Sequence, residues 1–159
     1  MRSRGAPTQV KPPAKMPAIY AVMRARIPLT PDRIKRLSLI PYVAFDWMVR
    51  RGVCEDSVLV LLQYLFLSEA LCLDGHLTHA RAIAVEGQKR LADLYKAGLE
   101  KQQWALDDET YRAVQSSLSV YVAQLPLVSE ADVKRAFERI AQWRETYTGR
   151  TSDAQRTAA

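Results

Sequence analysis

In the C-terminal half of the chain, apolar positions recur at intervals of three and four residues. Tyr111, Val114, Leu118, Val122 and Leu125 follow that spacing and predict a helix with one buried face, opened by Asp107 as N-cap and closed by Pro126. Ala80, Ile83, Ala84, Gly87, Leu91 and Leu94 predict another, starting at Thr78 or His79 and ending near Gly98. Gly87 falls on that apolar stripe, where a missing side chain lets a neighbouring helix approach closely. Val133, Ala136, Phe137, Ile140 and Tyr147 line a last helix, opened by Ser129 with Asp132 three residues on, close to a capping box. From Glu55 to Leu73 the pattern changes. Apolar residues cover nearly every face, two acids stand in the first turn, and Asp74-Gly75 closes the segment. A helix that is apolar all round belongs at the centre of a domain.

Before residue 55 the pattern is cut by prolines. Thr30-Pro31-Asp32 is a helix start, because a Thr N-cap accepts a backbone N–H and Pro at the first helical position has no donor to strand. Pro41 divides the segment beyond that start into a short helix, Pro31 to Leu37, and a second, Tyr42 to Arg51. Gly52 ends the second, with Arg50 and Arg51 placed where cations complement the carbonyl end of a helix. Phe45, Trp47 and Met48 read as its core residues. Ile19 to Ile27 reads as an extended segment packed on the domain. Met1 to Pro17 holds four prolines, four basic residues and almost nothing to bury, the composition of a disordered arm.

The expected fold is therefore all-α: a small helical bundle of about four core helices, preceded by a short helical pair and a disordered N-terminal arm. Short connections favour antiparallel neighbours and an up-down arrangement. The expected division is an arm over 1–17, a helical domain over 18–148 and a polar, disordered tail over 149–159. A chain of 159 residues can bury roughly 70% of its unfolded surface and needs no staples. The 16-residue apolar run Val58 to Leu73 contains Gln63, Ser68 and Glu69 and falls short of the roughly 20 residues of a membrane span, so it reads as a core helix, with no membrane implied. Cys54 and Cys72, with no secretion signal at the N-terminus, read as buried free thiols of a cytoplasmic protein.

Candidate chemistry adds little to this picture. Cys72, His76 and His79 would share one face of an unbroken helix, with ligand types that suit zinc. Gly75 breaks the cluster and no second ligand pair is evident, so a packed Cys and two residues of an interhelical turn is the preferred reading, with no metal and no cofactor. Cys54 has no base near it in sequence to make it a nucleophile. Glu55-Asp56 and Asp107-Asp108-Glu109 open helices, where negative charge is stabilising. With no phosphate loop and no convergent acid, base and nucleophile, the chain reads as a non-enzyme.

Charge changes the picture more. Residues 1–51 carry 11 Lys/Arg against Asp32 and Asp46, while the remainder carries 12 basic against 15 acidic side chains. The front of the molecule thus invites an anionic partner. Arg24, Arg26, Arg33, Lys35, Arg36, Arg50 and Arg51 are the candidate nucleic-acid contacts, positioned for phosphates rather than for reading bases. The helical pair around Pro41 has the layout of a helix-turn-helix, with Tyr42, Asp46 and Arg50 on one face of its second helix. Against this stands a protein partner or homodimer. Trp47, Trp104 and Trp143, with Tyr42, Tyr95 and Tyr147, anchor interfaces if exposed and cores if buried.

The stretch Lys15-Met16-Pro17-Ala18-Ile19-Tyr20-Ala21-Val22-Met23, followed by Ile27-Pro28-Leu29-Thr30-Pro31-Asp32, resembles the N-terminal half of small proteobacterial proteins, some of which are described as Fis-family transcriptional regulators. The resemblance covers about residues 15–65. It implies DNA binding and transcription regulation, and it carries no functional residue across. The expectation from sequence is an accessory or regulatory protein that contacts nucleic acid through its basic front, with a helical protein-interaction module as the alternative.

Overall fold

The computed structural model describes the backbone of residues 27–157 and the side chains of residues 27–144. The arm, the segment before Ile27, and with them Arg24 and Arg26, lie outside the described residues. The protein is all-α, with five helices among the described residues: α1 Pro31–Arg51, α2 Glu55–Leu73, α3 Arg81–Lys101, α4 Asp108–Gln124 and α5 Glu130–Thr157. Short 3-10 turns at Thr78–Ala80 and Leu125–Leu127 lead into α3 and out of α4. The described residues contain no strand, only an isolated antiparallel bridge between Pro28 and Ser129. Leu29 N–H donates to the Val128 carbonyl at 3.1 Å, tying the entry of α1 to the entry of α5.

The short helical pair is not formed. α1 runs unbroken through Pro41, so there is no turn between two helices and no helix-turn-helix there. Proline in a helix interior leaves the carbonyl four residues earlier without a donor. That carbonyl belongs to Leu37, and it accepts a hydrogen bond from the buried Tyr121 hydroxyl of α4 at 3.3 Å. Pro41 itself is buried on the core side of the helix. A partner 84 residues away in sequence thus stands in for the missing N–H.

α2 is the axis of the domain, packed against each of the other four helices. By length and composition it is long and apolar enough to cross a membrane. Here the protein encloses most of it: Val58, Leu61, Leu65, Leu67, Ala70 and Leu71 are fully buried, while Leu59 and Leu73 lie on its outer side. Two apolar clusters share it. One joins Leu37, Tyr64, Leu67 and Leu71 to Tyr121, Leu125, Val133 and Ala136. The other joins Phe45, Met48, Leu61 and Leu65 to Leu91, Leu94, Val114 and Leu118.

Close helix contacts follow the expected small residues. A Cβ on Gly87 would lie 2.8 Å from Ser117 Cβ and closer still to Ser117 Oγ, so α3 and α4 touch there because the side chain is absent. Gly98 does not end its helix. Its open face is covered by the Trp104 ring, which a Cβ would meet at 2.5 Å, and α3 continues to Lys101 with Gln102 in the left-handed conformation. At the other end of the molecule α5 is helical through Thr157, past Gly149 where the sequence places the start of a polar tail. The expected caps at Asp107 and Ser129 form: Asp107 Oδ1 accepts from Thr110 N–H at 2.6 Å, and Ser129 and Asp132 cap each other reciprocally.

Inside the core sits one polar network. Gln124, fully buried on α4, accepts from the Ser68 hydroxyl at 2.8 Å, and its amide nitrogen, with two hydrogens, lies within hydrogen-bonding distance of the Ser68 carbonyl, the Cys72 sulfur and the His76 carbonyl. One amide side chain therefore joins α2, the turn after it and α4.

Candidate interaction surface

α1 owes its form to three local features. Thr30 caps it by accepting from Arg33 N–H at 3.3 Å, Pro31 occupies its first turn, and Gly52 with φ +103 lets the chain leave after Arg51. Its inner side carries Ile34, Leu37, Pro41, Phe45 and Met48, all buried or packed against the core clusters. At 3.6 residues per turn, Leu39, Ile40, Val43 and Trp47 fall within an arc of roughly 100° on the opposite side. Each of these four is between 51% and 56% exposed. Tyr42 and Val49 extend the exposed apolar surface at its margin. The helix thus has two apolar faces, and the core of the described residues covers only one.

The basic candidates frame the outer face without forming one uniform patch. Lys35 and Arg36 are exposed near its N-terminal end and enter no ion pair among the described residues. Arg50 and Arg51 lie at the other end. Arg50 Nε donates to Asp46 Oδ1 at 2.6 Å, and the Arg51 guanidinium sits 5.9 Å from the centre of the Trp47 ring, within the range of a cation–π contact. Arg33 points elsewhere: its Nε donates to Glu130 Oε1 at 2.7 Å and clamps α1 to the start of α5. Of the five described candidates, Arg36, Arg50 and Arg51 border the apolar row, Lys35 lies beside it, and Arg33 serves the fold.

The three tryptophans part company. Trp104 is half-buried, edge-on to Tyr95 at 6.2 Å, and Trp143 is half-buried against Phe66 at 6.2 Å. Trp47, read from sequence as core along with Phe45 and Met48, instead faces outward. Tyr147 lies outside the described side chains.

A helix stop at Pro41 splits the apolar residues between two short elements, and that division hides the outward row from a local reading. Taken as one helix, residues 37–49 hold apolar side chains at nearly every position outside Ser38 and Asp46, too many for a single buried stripe. That excess is the signal the sequence carries.

The remaining chemistry is spent on structure. α2 ends at Leu73 inside the Cys72, His76, His79 cluster, and Gly75 turns the chain with φ +104. Cys72 is buried and donates to the Leu77 carbonyl at 3.4 Å. Burial pushes its thiol up, against the opposing hydrogen bond from Gln124, so the thiolate a metal requires is disfavoured. His76 Nε2 lies 3.7 Å from Asp132 Oδ2, while His79 is exposed. Among the described residues no three of His, Cys, Asp and Glu are grouped to hold a metal ion. Cys54, expected to be buried, is exposed as the N-cap of α2, its sulfur 3.4 Å from the Ser57 hydroxyl; at a helix start the backbone turns outward, away from the core. A shallow hollow of about 220 Å³ between α3 and α4 is lined by Arg90, Asp93, Gln103, Asp107 and Thr110. Arg90 is paired with Glu86 and Glu109 and Asp107 is held by its cap, which leaves that hollow no uncommitted acid–base pair.

No protein-family model, no curated protein and no solved structure matches the chain.

Proposed function

We propose that this is a non-enzymatic accessory protein, an up-down helical bundle that docks a protein partner on the outer face of α1. The observation that carries this reading is the row Leu39, Ile40, Val43 and Trp47, exposed on the side of α1 away from the core. Four large apolar side chains on one face of a single helix are costly to leave in water, and contiguous surfaces of this kind mark interaction sites. Trp and Arg are the side chains that dominate such sites, and here Arg51 lies over Trp47.

A second reading, contact with nucleic acid through the basic front, is favoured by the exposure of Lys35 and Arg36 and by the six basic residues before Ile27. The apolar row between Arg36 and Arg50 weighs against it as the main role, since isopropyl and indole groups have no counterpart on a phosphate backbone.

Capture from the native host, with nuclease treatment, separates the two. The protein-partner reading expects a nuclease-resistant partner that Val43→Glu releases while Lys35→Ala and Arg36→Ala together only weaken it. Loss of the partner on nuclease digestion, together with duplex DNA binding that falls steeply with salt and ignores Val43→Glu, would favour the second reading.

A further inference from the structure

We infer that the occupant of the outer face of α1 is an acidic amphipathic helix of another protein, an inference that rests on the docking reading above. Its apolar stripe would lie along Leu39, Ile40, Val43 and Trp47, and its acidic flanks would meet Arg36 and Arg50–Arg51. Three observations point to this chemistry. First, the exposed groups form a row along one helix rather than a pocket, a shape that takes the i, i+3/i+4, i+7 face of a second helix. The row's charged borders, Arg36 and Arg50, are 14 residues apart, or about 21 Å along the axis, the length of a four-turn helix.

Second, charge disfavours a second copy of the chain. Antiparallel pairing about Val43 sets Arg36 against Arg50 of the other copy, and parallel pairing sets each arginine against itself. Arg50 and Asp46 neutralise each other, so Lys35, Arg36 and Arg51 carry the net charge of the borders, and Asp32 is the other acidic side chain of this helix. Like charges across an interface are unfavourable, and the same arrangement attracts acidic flanks.

Third, the chain's own N-terminal residues repel the charged borders of the face. Residues 1–26 contain six Lys/Arg and no Asp or Glu, the same sign as its borders.

The test uses the full chain and three labelled synthetic peptides of about 18 residues, a little longer than the row, read by fluorescence anisotropy at low and moderate salt. One carries Leu and Ile at helical spacing with Glu at its flanking positions, the second has Lys in place of every Glu, and the third scrambles the acidic sequence. The acidic amphipathic peptide is expected to bind at least tenfold more tightly than the other two. Val43→Glu should weaken it at least tenfold, and Arg36→Glu should shift preference toward the Lys peptide, a reversal that loss of folding cannot produce.

Equal or tighter binding of the Lys peptide overturns the acidic assignment and leaves the docking reading standing. A doubled mass by light scattering that Val43→Glu abolishes assigns the face to a second copy. Sedimentation with vesicles of mixed neutral and anionic phospholipid, lost in Val43→Glu, assigns it to a membrane surface. A monomer whose melting temperature falls by more than about 5 °C on Val43→Glu has the face covered within its own chain. Each of these three results defeats the proposal. Absence of peptide binding together with a native-host partner indifferent to Val43→Glu defeats the docking reading itself.

Discussion

α1 and α2 are both rich in apolar residues, yet they meet different surroundings. α2 packs against all four other helices, and its buried side chains cover about two thirds of its circumference. α1 lies at the periphery, gives Leu37, Phe45 and Met48 to the core, and turns an equally apolar row outward. Apolar content alone therefore does not place a helix at the centre of a fold. What separates the two is how many faces the rest of the chain can cover.

The difference between the two helices is sharpest where burial is complete. Leu65→Ala on α2 should cost about 2–5 kcal/mol in urea unfolding, as enclosed leucines do when truncated. A loss below about 1 kcal/mol would mean that α2 is less enclosed than its packing indicates. Next in size is Gln124→Ala, which leaves the Ser68 hydroxyl and the His76 carbonyl without their buried partner. An expected loss of roughly 2–4 kcal/mol, by the same unfolding measurement, comes from leaving such groups unpaired. Gly87→Ala should cost about 1–3 kcal/mol because its Cβ would overlap Ser117 where α3 and α4 meet.

A smaller effect probes why α1 is one helix. Tyr121→Phe should cost about 1 kcal/mol, because it removes the donor to the Leu37 carbonyl. In a Pro41→Ala background, where residue 41 supplies its own N–H, the same change should cost measurably less. A double-mutant cycle reads that coupling directly. Additive effects would show that Tyr121 does not replace the missing donor.

Much of this fold is legible in the pattern of apolar residues. The central place of Glu55–Leu73, the caps at Thr30, Asp107 and Ser129, and the packing role of Gly87 all rest on local chemistry that a sequence displays. The continuity of α1 does not, since its support comes from Tyr121 on another helix. The end of α3 escapes a local reading for a similar reason: Gly98 accommodates the Trp104 ring, a tertiary contact that resembles a helix stop in sequence. Of the candidate site, the basic borders are visible as charge, but the apolar row between them emerges only when residues 31–51 are read as one helix.

Acid conditions report on the tie between the turn after α2 and the start of α5. Burial of Asp132 opposes its ionisation, yet hydrogen bonds from Ser129, with His76 and Arg135 nearby, outweigh it and hold the carboxyl below its ordinary value. Stability from such a group is complete above the unfolded carboxyl value, about pH 4, and is lost as pH falls through the lower folded value. Asp132→Asn should therefore flatten the acid limb of a stability–pH curve. An unaltered acid limb would remove Asp132 from the balance.

At the small end of the scale, Val43→Glu should change stability by no more than about 0.5 kcal/mol, as exposed substitutions do. The outer face itself is read most directly through Trp47 as the sole tryptophan, with Trp104→Phe and Trp143→Phe in the full chain. The expected emission is close to that of free tryptophan and readily quenched by acrylamide. A blue-shifted emission shielded from acrylamide would contradict an open docking face on α1.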